Sequence, residues 1–168
     1  MEKKDRRIAG ITTGQVVDAG IRDSMNMGAA MAPAAFHTVM QNLKDLEITK
    51  KQLESGWYDK IITGDLGKIG KQALAEFIRN EGLEAEEFLM DCGMEIYDSS
   101  DQDTHAGGSG CGCSALVLGA LILPNIQAGI WRRVLFIPTG ALLSTVSFNE
   151  GQTIPGIAHG IILEGMGK

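Results

Sequence analysis

The sequence is short of proline (4 residues), aromatics (5%), cysteine (3 residues) and basic charge. Each shortage excludes something. With 22 glycines, so few prolines and no G-x-y period, the chain is neither collagen-like nor a low-complexity linker. Lys and Arg total 15 against 21 Asp and Glu, a formal net charge of −6. A general nucleic-acid binder carries a basic total or a basic stripe, so that class, and nucleic-acid partners with it, are excluded. The one basic cluster, Lys3, Lys4, Arg6 and Arg7, reads as a solvated, mobile tail over residues 1–7. Cys92, Cys111 and Cys113 are odd in number and include a C-x-C pair, which is no disulfide framework and points to reduced thiols. The longest apolar stretch, Cys113 to Ile130, is broken by Pro124, Asn125 and Gln127, too early for a bilayer span. Met1 to Arg7 runs into Ile8 without an apolar segment, so no signal peptide is expected.

What remains suits one folded domain. The 168 residues are 44% hydrophobic, and mean hydropathy is +0.03. A chain of that size buries roughly 68–70% of its unfolded surface. Ile8 to Val17 alternates loosely and reads as short strands or a hairpin. Met31, Ala35, Val39, Leu43 and Leu46 recur at helical spacing, which predicts a helix from about Ala30 to Leu46 with Pro33 near its first turn. Thr49 suits the cap of a short helix from Lys50 to Ser55. Asp59–Gly64 reads as a strand, Ile69–Asn80 as a helix closed by Gly82, and Phe88 to Tyr97 as a short strand. A helix from Ser114 to about Gln127 is apolar nearly all round, the pattern of an element buried on most sides. Arg133–Thr139 reads as a buried strand, Gly140–Gly151 as a connection and Thr153–Glu164 as the last strand. Helices alternating with buried strands predict an α/β domain with a mixed sheet.

The unusual segment is His105-Ala-Gly-Gly-Ser-Gly-Cys-Gly-Cys-Ser114, which leads into the apolar helix. Small residues and backbone N–H groups at a helix start can form an anion site. The segment lacks the Lys-Ser/Thr pair of a phosphate loop and the spacing of a dinucleotide fingerprint. The same glycines would also serve simple close packing of helix on sheet. Cys111 and Cys113 could gain thiolate character there, or be small buried fillers. With His105 they offer three metal-ligand types, but C-x-C is too tight for an ordinary zinc site and no fourth ligand is evident, so no metal is assigned. His37 reads as a surface residue of the first helix and His159 as a satisfied histidine within the last strand. Asp65 follows a strand and precedes a helix, where open α/β sheets bind ligands, though a helix cap is the plainer role.

Several of these stretches together resemble a known family. Gly14-Gln-Val-Val-Asp-Ala-Gly20, Asn26-Met-Gly-Ala-Ala-Met-Ala-Pro-Ala-Ala35, Ile62-Thr-Gly-Asp-Leu-Gly67 and Ala106-Gly-Gly-Ser-Gly-Cys-Gly-Cys-Ser-Ala115 are similar to the stage V sporulation protein AD family. So are Phe136-Ile-Pro-Thr-Gly-Ala-Leu-Leu-Ser144 and Ile154-Pro-Gly-Ile-Ala-His159. The resemblance runs in order from about Gly10 to Glu164. It implies a thiolase-like fold of two similar halves, of which this chain matches only the second, with a five-stranded mixed sheet and a buried central helix. It further implies a sporulation role: a non-catalytic component that binds dipicolinic acid, alone or with calcium, and supports its uptake into the developing spore. The implied location is the cytoplasmic side, peripheral to the forespore inner membrane, beside other sporulation transport proteins. No cofactor is implied.

Departures from the wider superfamily bear on chemistry. The nucleophilic cysteine of condensing enzymes belongs to the first half. The ketosynthase Pro-His-Gln-Ala-Asn-like stretch corresponds here to Thr63-Gly-Asp-Leu-Gly67, without histidine. The thiolase C-terminal cysteine stretch corresponds to Gly156-Ile-Ala-His159. No catalytic residue is therefore assigned. The residues expected to face a ligand are Asp65, His105, Ser109, Gly110 and Cys111. The alternatives are an acyl-transfer subunit completed by another chain and a purely structural half-domain. An apolar central helix in half a fold also predicts pairing, with a second copy or with a first-half chain.

Overall fold

A computed structural model describes residues 5–98, 100–105 and 110–166. Seven strands and seven α-helices are assigned among them: β1 (Arg6–Thr12), α1 (Met27–Asp45), α2 (Lys50–Glu54), β2 (Lys60–Thr63), α3 (Gly67–Asn80), β3 (Leu89–Asp91), α4 (Cys92–Ile96), α5 (Cys113–Val117), α6 (Leu123–Gln127), β4 (Arg133–Ile137), β5 (Thr139–Ala141), α7 (Thr145–Asn149), β6 (Gly156–Ala158) and β7 (Gly160–Gly165). Five strands form one mixed sheet in the order β1-β7-β4-β2-β3, and β5 and β6 form an antiparallel pair beside it. Strand β2 is parallel to β3 and β4, while β7 is antiparallel to β4 and β1. The expected α/β class and mixed sheet are thus present.

The central strands β2 and β4 are buried on both faces, which explains why they read as continuous apolar runs, while the edge strand β1 is largely exposed. Ile61, Leu135 and Ile137 face a core shared with Ala35, Val39 and Leu43 of α1 and Leu74 and Ile78 of α3. Ile62, Val134 and Phe136 face the opposite core, with Cys113, Val117, Ile122 and Ile126. Helices α1 and α3 approach closely at two glycines. A Cβ on Gly28 would lie 1.9 Å from the Leu66 carbonyl oxygen, and one on Gly70 would lie 2.7 Å from that of Gly28. Neither position admits a side chain.

Several elements depart from the sequence reading for local reasons. Helix α1 starts at Met27 because the Asn26 side chain accepts from the Ala29 N–H at its first turn (3.4 Å). Pro33 is therefore interior and removes one helical hydrogen bond. Of the short strands or hairpin expected from Ile8 to Val17, a single strand forms, and β1 finds its partner in β7, distant in sequence. Arg6 and Arg7, read as tail, are its first residues. The strand expected to reach Tyr97 stops at Asp91, whose carboxylate accepts from Gly93 and Met94 N–H and caps α4. The last strand divides into β6 and β7 at His159. Thr49 caps α2 as expected, with a reciprocal capping box to Gln52.

The helix expected over Ser114–Gln127 is α5, a π-helical turn over Leu118–Ile122, and α6. Its stripe of Cys113, Val117, Ile122 and Ile126 is buried against the sheet. The opposite face, with Ala115, Leu116, Gly119 and Ala120, is uncovered, and Leu116 is 59% exposed. Among the described residues no helix is long and apolar enough to cross a membrane.

At the amino end of β4, Glu164 accepts from Arg133 (2.6 Å) and Arg7 (2.9 Å), linking β1, β4 and β7. Burial works to raise its carboxyl, and the two guanidinium groups outweigh this and hold it below its ordinary range. The Arg133 guanidinium also lies 4.4 Å from the Trp57 ring centroid, a cation–π contact.

A buried polar chain joins α1 to the segment before β2. Tyr58 Oη donates to Asn42 Oδ1 (2.6 Å), and Asn42 Nδ2 donates to Thr12 Oγ1 (2.8 Å). Burial pushes the Tyr58 phenol up to about 12. A raised folded-state value favours the neutral phenol, so its stabilisation is complete below pH ~10 and is lost as pH climbs towards about 12. The predicted contribution is roughly 2–3 kcal/mol. Thermal melts from pH 9 to 12 should show wild type losing stability faster than Tyr58→Phe, and parallel curves would refute the assignment.

Candidate functional site

The carboxyl ends of β2 and β4 meet at a glycine. A Cβ on Gly64 would lie 2.6 Å from Ser114 Oγ and 2.7 Å from the Thr139 backbone nitrogen, so only glycine lets these groups converge. Asp65 follows it and is half-buried. Its N–H donates to Thr139 Oγ1 (3.2 Å), and Thr139 Oγ1 donates to Asp65 Oδ1 (3.0 Å). This exchange fixes the Asp65 carboxylate against the start of β5. Thr139 pairs with Ala158 of β6, which sets His159 beside the same bend, its N–H donating to the Pro138 carbonyl (3.4 Å).

His159 is exposed at that bend and does not lie within a strand, contrary to the sequence reading. Its Nδ1 accepts the Gly14 N–H (3.0 Å). The direction of that bond assigns the neutral tautomer with its proton on Nε2. Gly14 reaches this place only as glycine, since a Cβ there would lie 1.5 Å from the Ala158 carbonyl oxygen.

Beneath the rim, Asp91 is 1% exposed. Its Oδ2 accepts from Thr63 Oγ1 (2.7 Å) and Leu66 N–H (2.8 Å), and its Oδ1 from the N–H groups of Gly67 (3.0 Å), Gly93 (3.1 Å) and Met94 (3.3 Å). Burial raises the carboxyl, while the donors from Thr63, Leu66, Gly67 and Met94 oppose that rise. One side chain thus satisfies the first turns of α3 and α4 and closes the end of β2.

The residues expected to face a ligand divide. Asp65 lies at the rim. Gly110 lies next to Tyr97 and Cys113: a Cβ there would be 3.6 Å from Tyr97 Oη and 3.7 Å from Cys113 Sγ. Cys111 is exposed, not a buried filler. His105 has φ +48° and an exposed side chain whose Nδ1 pairs with Asp103 (3.2 Å), directed to its own loop. Ser109, with residues 106–108, lies outside the described residues. Ser114, Thr139, His159 and Asp91 were not expected here. The Gly64 and Gly14 positions were the available signal for the first three. The thiols beside the rim are held neutral. Burial pushes Cys92 up to about 12, with Asp91 adding to the rise. Burial, then the charges of Asp65 and Asp91, also raises Cys113. Among the described residues no three metal-ligating side chains cluster.

The arrangement is that of an α/β domain with a polar rim at the carboxyl ends of its parallel strands, the place where open α/β sheets bind ligands. The sequence model of stage V sporulation protein AD (SpoVAD) matches residues 1–164. The stage V sporulation protein AD of Bacillus subtilis (strain 168) is 42% identical over 163 residues, which are 97% of this chain and 46% of that protein. The chain belongs to the stage V sporulation protein AD family, and spans about half the length of that curated relative. Solved structures of similar shape include a 3-oxoacyl-(acyl carrier protein) synthase III from Xanthomonas oryzae pv. oryzae, at 11% identity and TM-score 0.45, covering 98% of this chain and 57% of that one. An OleA variant from Xanthomonas campestris follows at 10% identity and TM-score 0.42, covering 98% and 60%. A ketosynthase in complex with its chain length factor from Xenorhabdus doucetiae has 13% identity and TM-score 0.40, covering 95% and 80%.

The Asp91 network gives a stability prediction. Both carboxylate oxygens accept from backbone N–H groups, so the amide of Asp91→Asn must set an N–H against a backbone N–H. The expected loss is about 3 kcal/mol, or roughly 6–12 °C in Tm for a chain of this length. Calorimetric melts of the two proteins check it, and a Tm within 2 °C of wild type would contradict the network's role.

Proposed function

We propose that this chain is a non-catalytic, ligand-binding component of the sporulation machinery, and that its ligand is dipicolinic acid taken up into the developing spore. Membership of the stage V sporulation protein AD family carries this reading. The site's chemistry is compatible with it. A planar dianion needs fixed donors, and the Ser114 hydroxyl stands beside Gly64 where the chain leaves β2. Calcium is assigned to the ligand's own carboxylates, with Asp65 as the nearby acidic group on the protein. The overall charge of −6 opposes long-range attraction of an anion, so local donors must provide the affinity. The raised Cys92 and Cys113 thiols favour binding over acyl transfer, because a nucleophile of this kind acts as the thiolate. The proposed setting is the cytoplasmic side of the forespore inner membrane, beside other transport proteins.

Calorimetric titration of the chain with dipicolinate, with and without calcium, tests this reading. Saturable binding is expected, weakened about tenfold by Ser114→Ala, the loss of one hydrogen bond to a charged group. No saturation in a folded protein would remove the ligand site from this chain.

The uncovered face of the central helix is assigned to a partner, either a second copy or a chain supplying the other half of the fold. Ala115, Leu116, Gly119 and Ala120 form a small-residue surface on which another helix can pack closely, and leaving Leu116 in water forfeits apolar burial. Sedimentation at micromolar concentration should show a species heavier than the 18.0 kDa chain, returned to monomer by Leu116→Glu. A monomer that binds no apolar dye would defeat the pairing.

A further inference from the structure

We propose that the amino end of β4, with the chain segments beside it, is a seat for an anionic phospholipid surface. The proposal deepens the membrane setting given above and stands apart from the dipicolinate reading. In a chain of net charge −6, four of the six arginines, Arg6, Arg7, Arg132 and Arg133, meet at this one end. Backbone contacts bring them there. Arg7 and Arg133 flank Glu164 across β1, β7 and β4. The Gly165 N–H donates to the Arg132 carbonyl (3.0 Å), and the Met166 N–H to the carbonyl of Asp5, the neighbour of Arg6 (2.7 Å). Four guanidinium groups thus face three carboxylates, Asp5, Asp59 and Glu164, and two of those are already engaged. Glu164 accepts from Arg7 and Arg133, and Asp59 Oδ2 accepts from the backbone N–H groups of Arg132 (2.6 Å) and Arg133 (2.8 Å). Glu84, Glu86 and Glu87 precede β3, at the opposite edge of the sheet.

The turn between α6 and β4 adds apolar depth to this charge. Gly129, with φ +72°, turns the chain out of α6, and Ile130 after it is 66% exposed. Half-buried Trp131 and the two arginines follow directly, and Met166 nearby is 45% exposed. An exposed apolar side chain, an indole and guanidinium groups in one turn match a bilayer interface, where apolar atoms enter the acyl boundary and cations reach the phosphates. An acidic polypeptide matches the charge alone. A cleft of about 480 Å³ opens at the same end, lined by Ser55, Trp57, Arg132, Arg133 and Glu164. Arg133 gives its Nε to Glu164 and its plane to Trp57, which fixes the guanidinium. Its terminal nitrogens and the Arg132 guanidinium have no hydrogen-bond partner among the described residues. The cleft therefore offers room and paired donors for one headgroup phosphate. Thr139 and Asp65 lie beyond the other end of β4, so a seated domain keeps that rim away from the lipid.

Vesicle co-sedimentation of the whole chain tests this. Binding is expected to phosphatidylcholine vesicles that contain phosphatidylglycerol, and not to phosphatidylcholine alone. It should be lost on raising salt from ~0.1 M to ~1 M, where the screening length falls from about 10 Å to about 3 Å. Arg6→Gln and Arg132→Gln should each weaken it about fivefold, and Ile130→Ser about tenfold. Lys68→Gln removes one positive charge at the start of α3, the opposite end of the domain, and should leave binding within twofold. Thermal melts establish that each variant is folded. No binding of wild type to the anionic vesicles overturns the inference and leaves the membrane setting to contacts with other proteins. Equal losses in Lys68→Gln and Arg132→Gln also overturn it, because net charge alone then governs. So does binding to immobilised polyglutamate with none to vesicles, which assigns the face to an acidic polypeptide. None of these readouts depends on dipicolinate, so the two readings fail separately.

Discussion

The Asp91 carboxylate is the constraint on which the rest depends. It is the most completely hydrogen-bonded buried charge described, and it touches four elements: β2 through Thr63, the first turn of α3 through Leu66 and Gly67, its own strand β3, and the start of α4. Parallel strands end at different heights unless something levels them. Here one anion draws five donors to a common point and fixes where β2 stops. Gly64 and Asp65 then leave the sheet in one direction, and their meeting with Thr139 and Ser114 follows. A buried ion is expensive unless every lone pair is used. That requirement makes the geometry single-valued, because a small shift of any donor leaves charge uncompensated.

Glycine has the complementary role. Gly28 with Gly70, Gly64, and Gly14 each stand where another chain segment occupies the volume of a Cβ. Glycine is thus spent on close approach of backbone to backbone at these positions, as well as on the positive-φ bends at Gly20, Gly56, Gly82, Gly129 and Gly151. Two of these contacts, at Gly14 and Gly64, lie at the candidate site. Polar backbone groups and hydroxyls can be brought together there without long, flexible side chains, whose ordering would cost conformational entropy.

Local physics decided what could be read from sequence. Apolar runs bounded by polar residues marked β2 and β4, and helical spacing marked α1 and α3, because burial on a face leaves a periodic trace. Thr49 and Gly82 gave correct ends because capping is a short-range interaction. The pairing of β1 with β7 left no such trace, since register between strands some 150 residues apart is set by the whole sheet. Asp91 was invisible as a buried ligand for backbone donors, because its sequence surroundings resemble any acidic residue at a strand end. Of the polar groups gathered around Gly64, the sequence reading singled out only Asp65. Ser114, Thr139 and His159 belong to three distant segments, and the glycine-rich stretch before the apolar helix drew the reading towards His105, which faces its own loop. Cys111 and Cys113 looked equivalent in sequence, yet a helix turn exposes one and buries the other.

The titrating groups beside the rim share one electrostatic field. A reactive thiol needs its anion stabilised by a cation, a helix end or an adjacent base. Cys92 and Cys113 instead meet burial and the negative field of Asp65 and Asp91, and all of these favour the thiol form. Thr139 Oγ1 donates to Asp65 and so turns part of that charge inward, away from the thiols' side of the bend only as far as one hydroxyl proton can reach.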